Sequence, residues 1–402
     1  MEKDKNARAR RWAALVEWVA FAQDYLSRTD HHCTRWVQAW LQGAAAFALI
    51  STTGVGRCAE PIVLAQSLPL TGAGFTASSR IVAGTAAAID AFNRAGGIGG
   101  RRVVLETVDD ADDPARHAAN LRRLAEEVQP VAFINCVGTP SCTAAASVAR
   151  TTQIPLIGPM TGAPALRSLA DAPIYCIRPD VNLEAAAIAA QLKSLGVSSI
   201  AILTDREGGD RTPQILFEAL RRKGLTASIV HATAATMKSA LDQTASASAL
   251  LIDLGLEGAE ALGEIPPETL EAQPKVIASL ATPGLTTIMK LFPKRVVGFT
   301  AVVPQPELPN SLLVRSLQRD SEALGPDAMT YEGLEAYLST LVALEAIRKA
   351  GAQASARSVG VEMSRLGHLE LGQFPLTFNR PGRSASEWVD IALRARNGVL
   401  LR

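Results

Sequence analysis

From Pro61 onward, short apolar runs rich in β-branched residues alternate with longer stretches whose apolar positions recur every three or four residues. That alternation predicts parallel strands covered by helices. The runs Ile62–Leu68, Val103–Val108, Val131–Ile134, Ile154–Ile157, Ile174–Ile177, Ile200–Leu203, Ala227–Val230, Ala249–Ile252, Val276–Ala278 and Val296–Phe299 read as strands. Helical periods occupy Ser78–Ala95, Asp113–Val128, Leu183–Leu195 and Pro213–Lys223. Ten strands exceed one comfortable doubly wound sheet, and 402 residues exceed one core. The expected fold is therefore α/β, with two doubly wound parallel-sheet lobes of about 150 residues each. Proline-bearing junctions at Arg178-Pro179-Asp180 and Val303-Pro304-Gln305-Pro306 follow the fifth and tenth strands. They are where the chain would cross between lobes, and a boundary crossed several times makes a hinge.

The first 59 residues differ from the rest, with eight basic residues against five acidic ones and four of the five tryptophans. Arg35 precedes the apolar stretch Trp36–Ile50, and small and polar residues follow to Ala59. That is the order of a signal peptide's charged, apolar and cleavage regions, so the chain is expected to be exported to the periplasm. The run is too short for a spanning helix and is broken by Gln38 and Gln42. An amphipathic helix folding with the body is the alternative. Residues 1–34 make a long prefix, and cleavage is expected between residues 55 and 61.

Forty basic and 39 acidic residues leave a net charge of +1 with no basic stripe, which argues against nucleic acid as a partner. No Walker loop and no nucleophile elbow occurs, and His117, His231 and His368 are far apart in the chain. The run Gly96-Gly97-Ile98-Gly99-Gly100 follows a helix and precedes a strand, the reverse of a dinucleotide fingerprint, so it reads as a helix C-cap and turn. Neither a catalytic apparatus, nor a cofactor, nor a metal site is expected.

Ligands of open α/β sheets sit at the carboxyl ends of strands, where helix N-termini present unpaired N–H groups. Three such ends carry suitable residues. Thr71, in the turn-rich loop Leu68–Gly74, either donates to an anion or caps the next helix. In Asn135–Cys142, Thr139 is expected as N-cap and Pro140 as the first helical residue, with Ser141 beside them. In Gly158–Pro164, Thr161 stands next to Gly162 and Ala163 at another helix start. Two neighbouring hydroxyl-plus-amide caps form a seat for a carboxylate, although each threonine also has the plainer role of a cap.

In order along the chain, PLTGAG (69–74), AGGIGGRRVVLETVDDADDPARHAANLRRL (95–124), VGTPSCTAAA (137–146), IPLIGPMTGAPALR (154–167), VVPQPELP (302–309), TYEGLEAYLSTLVALEAIRKAG (330–351) and LGQFPLTF (371–378) resemble the periplasmic solute-binding proteins of the branched-chain amino-acid family. The resemblance spans 61–402 and implies the type I periplasmic binding fold. Its lobes would be 60–178 plus 303–372, and 179–302 plus 373–402, joined by three crossings. It further implies a monomeric protein that captures an amino acid or organic acid and hands it to the permease and ATPase of an ABC importer. A ligand-sensing module of a signalling system shares this fold and is the other class. By the resemblance, Thr139, Ser141, Thr161, Gly162 and Ala163 hold the ligand's carboxylate. Relatives often carry tyrosines near Val181 and Gly208 or Gly209, and the branched-chain binders an acid near Ala281 or Thr282; all are missing here. Asp205, Glu207 and Asp210 are the available substitutes for an ammonium partner, and a simple organic or aromatic acid is the competing ligand.

Beyond the leader, three cysteines remain: Cys136, Cys142 and Cys176. An oxidising compartment favours pairing the first two across the Gly138-Pro140 turn, while Cys176 lies in an apolar strand as a buried thiol. The alternative is two small core residues that never meet.

Overall fold

A computed structural model of the chain describes residues 60–169, 171–207, 209–308, 310–379, 381–395 and 400–401. The leader and its cleavage region, residues 1–59, lie outside the described residues.

The first sheet is built in chain order from β1 (Ile62–Leu68), α1 (Phe75–Arg94), β2 (Val103–Asp109), α2 (Pro114–Glu127), β3 (Ala132–Val137), α3 (Thr139–Thr152), β4 (Leu156–Met160), α4 (Pro164–Arg167) and β5 (Ile174–Tyr175). Its strand order is β2-β1-β3-β4-β5, parallel throughout. The chain then passes to a second sheet through α5 (Val181–Ser194), β6 (Ser199–Thr204), α6 (Thr212–Arg222), β7 (Thr226–His231), α7 (Met237–Thr244), β8 (Ala249–Asp253), α8 (Leu256–Gly263), α9 (Pro267–Glu271), β9 (Val276–Ser279), α10 (Leu285–Leu291) and β10 (Val296–Ala301). It returns to the first lobe with α11 (Leu312–Asp320), α12 (Tyr331–Ala350), α13 (Ala356–Arg365) and a hairpin of β11 (Gly367–Leu371) and β12 (Phe374–Phe378). Finally β13 (Asp390–Arg394) and β14 (Leu400–Leu401) join the second sheet, whose order is β14-β13-β10-β9-β8-β6-β7.

All ten strands expected from the apolar runs form, because helices bury both faces of each sheet. β3, β4 and β8 are buried at every position, as strands of a covered parallel sheet must be. Two features differ from the expectation. The second sheet carries an antiparallel edge, β10 against β13 and β13 against β14. Phe374, Leu376 and Phe378 of β12 fill the first lobe's core beside Val359 and Met363, so the last passage between lobes follows residue 378 rather than 372.

The glycine run after α1 behaves as a C-cap and turn: Gly97 donates to the Phe92 carbonyl at 3.1 Å, and Ile98 bridges Arg101. The first and last passages lie side by side, with Ala385 and Ser386 donating to the Cys176 and Ile177 carbonyls at 2.8 and 3.0 Å. α12 is the first lobe's central helix, and it meets α1 so closely that a Cβ on Gly84 would run into the Gly333 carbonyl.

Candidate functional site

A cleft of about 1050 Å³ opens at the carboxyl ends of the strands. One wall comes from the loops after β3 and β4, the other from those after β6, β7, β8 and β9.

The first wall is built by turn chemistry. β3 ends at Val137, and Gly138, at φ +78°, turns the chain into α3 as its N-cap. Thr139 is thus the first helical residue and Pro140 the second, one position earlier than expected. Pro140 has no N–H, and those of Thr139 and Ser141 precede any intrahelical carbonyl. Thr139 Oγ1 lies 3.0 Å from Thr161 Oγ1, which accepts the Ala163 N–H at 3.2 Å. The cleft therefore gathers Thr139, Ser141, Thr161, Gly162 and Ala163 on one wall. α4 is a single four-residue turn, so only α3 brings a full helix end; the expectation of two helix ends is corrected to one. Arg167 donates through Nη1 to the Thr161 and Ala163 carbonyls at 3.2 and 2.9 Å, and through Nη2 to those of Arg178 and Pro179 at 2.9 and 3.0 Å. That guanidinium, 3.8 Å from the Asp180 carboxylate, thus holds this loop against the first passage between lobes.

Cys136 and Cys142 are joined in a disulfide with Cα atoms 5.3 Å apart, clipping the end of β3 to the first turns of α3 around Thr139 and Ser141. Cys176 is a buried free thiol, pushed up from its ordinary value by that burial.

Thr71 is not brought to the cleft. Its hydroxyl donates to Asp109 Oδ2 at 2.9 Å, tying the β1 loop to the end of β2. Asp205 lines the opposite wall, with both carboxylate oxygens 2.9 Å from the Gly255 N–H, so it anchors the start of α8. Asp210 Oδ1 accepts from the Thr212 N–H and hydroxyl at 3.0 and 2.8 Å just before α6, and Glu207 is exposed.

The charges at the cleft floor were not singled out in the sequence. Arg178 closes a fork on Glu335, Nε to Oε1 at 3.0 Å and Nη2 to Oε2 at 2.9 Å, while Nη1 donates to the Ala281 carbonyl at 2.9 Å. Glu184, in the first turn of α5, accepts at Oε2 from the Thr300 hydroxyl at 2.6 Å and the Ala281 N–H at 3.2 Å. Burial pushes its carboxyl up, against the pull of Arg178 and of those two hydrogen bonds. On the second wall Arg206 Nε donates to buried Asp253 at 3.2 Å. At the mouth, burial and the negative charges of Asp110, Glu257 and Asp205 push Asp112 up to about 6. No local pattern announces these groups: Arg178 and Glu335 are 157 residues apart, Glu184 and Ala281 97.

Residues 61–392 match the family model described as periplasmic binding protein. No curated protein matches the chain. Among solved structures, a possible leucine/isoleucine/valine-binding protein from Rhodopirellula baltica SH 1 superposes with a TM-score of 0.75 at 21% identity, covering 86% of this chain and 97% of the other. A substrate-binding periplasmic protein from Ralstonia solanacearum gives 0.73 at 22% identity, covering 85% and 99%. A solute-binding protein from R. palustris in complex with benzoate gives 0.71 at 14% identity, covering 85% and 95%. At these identities the similarity shows the shared fold.

Proposed function

Since the chain belongs to the periplasmic binding protein family, we propose that it is the extracytoplasmic substrate-binding component of an ABC importer that captures a small carboxylate-bearing ligand between its lobes. The observation that carries this reading is the first wall. Two hydroxyls and the first-turn amides of α3 converge on one side of a cleft large enough for such a molecule. Neutral donors backed by a helix end suit a carboxylate, which needs several hydrogen bonds and little else. Thr139, Ser141, Thr161, Gly162 and Ala163 are the residues assigned to it. Export by the N-terminal segment and delivery by the monomer to a permease and its ATPase complete the proposal.

A thermal-shift panel of amino acids, aromatic acids and dicarboxylates tests it, each hit being recovered for mass spectrometry. A ligand at a hundred times its dissociation constant adds about 2.7 kcal/mol of stability. The expected result is at least one stabilising carboxylate recovered unchanged. A panel with no stabilising member, or a hit that is chemically converted, refutes the reading.

A further inference from the structure

We infer that Arg167 is the positioning residue that ties the ligand seat to the hinge, holding loop 161–163 on both the first and the last passage between lobes. The inference rests on the binding-protein reading above and deepens it: Arg167 does not line the cleft and acts on a ligand only through the loop it holds. Its guanidinium makes five hydrogen bonds. Nη1 serves the seat loop at the Thr161 and Ala163 carbonyls, and Nη2 the first passage at those of Arg178 and Pro179. Nε donates to the Ser384 hydroxyl, in the last passage, at 2.9 Å. The side chain is only 8% exposed and the four carbonyls belong to buried residues, so deleting the fork takes a donor from acceptors shielded from water. Its net charge is balanced by Asp180, 3.8 Å from Nε, which leaves the planar set of donors as what the position needs.

Local structure explains why this loop needs a brace. α4 is one turn, too short to hold itself, and Ala163 at its N-cap makes no side-chain hydrogen bond. The backbone packs against the same passage: the Gly162 carbonyl accepts the Val181 N–H at 3.0 Å, and a Cβ on Gly162 would press on the Val181 nitrogen at 3.0 Å. The connection continues across the cleft. Arg178, whose carbonyl Arg167 holds, sends its own side chain to Glu335 on α12 and to the Ala281 carbonyl on the opposite wall. Two arginines in series thus run from the seat through the first passage to the second lobe, with a branch to the last passage at Ser384. Lobe rotation is absorbed by backbone changes in such passages, so it cannot leave the seat loop untouched. A ligand that fixes the seat favours one setting of the hinge by its differential contacts.

The test compares the wild-type chain with Arg167→Lys, Arg167→Met and Ser384→Ala, using leucine, glutamate, benzoate and glutarate as probes. Calorimetry reads affinity, and mass spectrometry reads amide hydrogen exchange. Residues 382–386 do not line the cleft, and the Ala385 and Ser386 amides there are bonded to the first passage. In the wild type a bound probe should nonetheless slow their exchange by about threefold or more, a coupling that a merely structural residue would not create. Lysine keeps the charge and loses the fork, so both Arg167 variants should bind about tenfold or more weakly and lose that protection. Ser384→Ala removes the acceptor in the last passage and none at the seat, so it should bind the probe and lose most of the protection. If the Arg167 variants do not fold, Ser384→Ala decides alone. A bound probe that leaves 382–386 unprotected in the wild type, protection that survives in Ser384→Ala, or affinity restored by lysine would overturn the coupling while leaving the carboxylate-binding reading intact. Silence from all four probes would overturn both.

Discussion

Reducing the Cys136–Cys142 disulfide perturbs the seat without changing a residue, because the two thiols occupy the same buried positions. The bond closes a ring of sequence separation 6. The loop-entropy relation gives about 2 kcal/mol for so small a ring, since the ring-size term grows only with the logarithm of its length. A chain of this size loses roughly 0.7 kcal/mol of stability per degree near its midpoint, so reduction should lower the melting temperature by about 3 °C. Affinity should fall as well, because Thr139 and Ser141 sit inside the ring and a loosened loop must be ordered on binding. Differential scanning calorimetry and ligand titration, each with and without a reductant, read the two effects. Thiol counting in denaturant first establishes the state: a protein beginning between about residues 55 and 61 has either one or two free thiols with the bond present, according to whether Cys58 is retained, and two more without it. A bonded protein whose stability and affinity ignore reduction would refute the argument that the bond orders the seat.

Three further outcomes follow from geometry. Thr161→Val removes the hydroxyl that meets Thr139 and Ala163 and should weaken ligand binding by about 1 to 3 kcal/mol with the fold intact; an unchanged dissociation constant by calorimetry contradicts the seat. Gly84→Ala drives a methyl into the Gly333 carbonyl and should cost about 2 kcal/mol or more in denaturant unfolding, despite alanine's better helix propensity; equal stability would mean that α1 and α12 separate freely. Asp112, raised to about 6 in the fold, contributes stability that is present below its unfolded value near 3.8 and lost as pH rises through 6, so Asp112→Asn should gain melting temperature relative to wild type between pH 4.5 and 7.5. A gap between the two proteins that does not change with pH would count against that.

The sheets were legible because strands buried on both faces leave continuous apolar runs, short and rich in β-branched residues, which their length and composition separate from buried helices. The antiparallel parts were harder. β12 does alternate, with Phe374, Leu376 and Phe378 inward and Pro375 and Thr377 outward, and Gly372-Gln373, both at positive φ, supply the two-residue turn before it. That signal is local to the hairpin, whereas β14 is two residues long and offers none. The seat was legible for a similar reason: a hydroxyl beside Gly and Pro at a strand end is local chemistry. Thr71 carries the same local signature, and only tertiary contact with Asp109 separates it from Thr139 and Thr161. Glu184 is the opposite case. A glutamate in the first turn of a helix is ordinary, favoured by the helix dipole, and nothing near it in the chain says that the loop after β9 will cover it.

The buried pair of Arg178 and Glu335 acts on arrangement more than on stability. Apolar residues of equal volume often replace such pairs at no cost, so the desolvation they incur has to be repaid by geometry. Arg178 leaves β5 on the first passage between lobes, Glu335 belongs to α12, and the Ala281 carbonyl belongs to the second lobe. One guanidinium thus holds three parts of the chain at the floor. Elsewhere in the cleft, Leu256 at the start of α8 is buried against Leu68, Val137 and Met160, so the second lobe also grips the first beside the seat. A ligand lying between these two contacts touches both lobes at once. It therefore favours the arrangement in which they are close by its differential contact energy alone, and needs no other coupling.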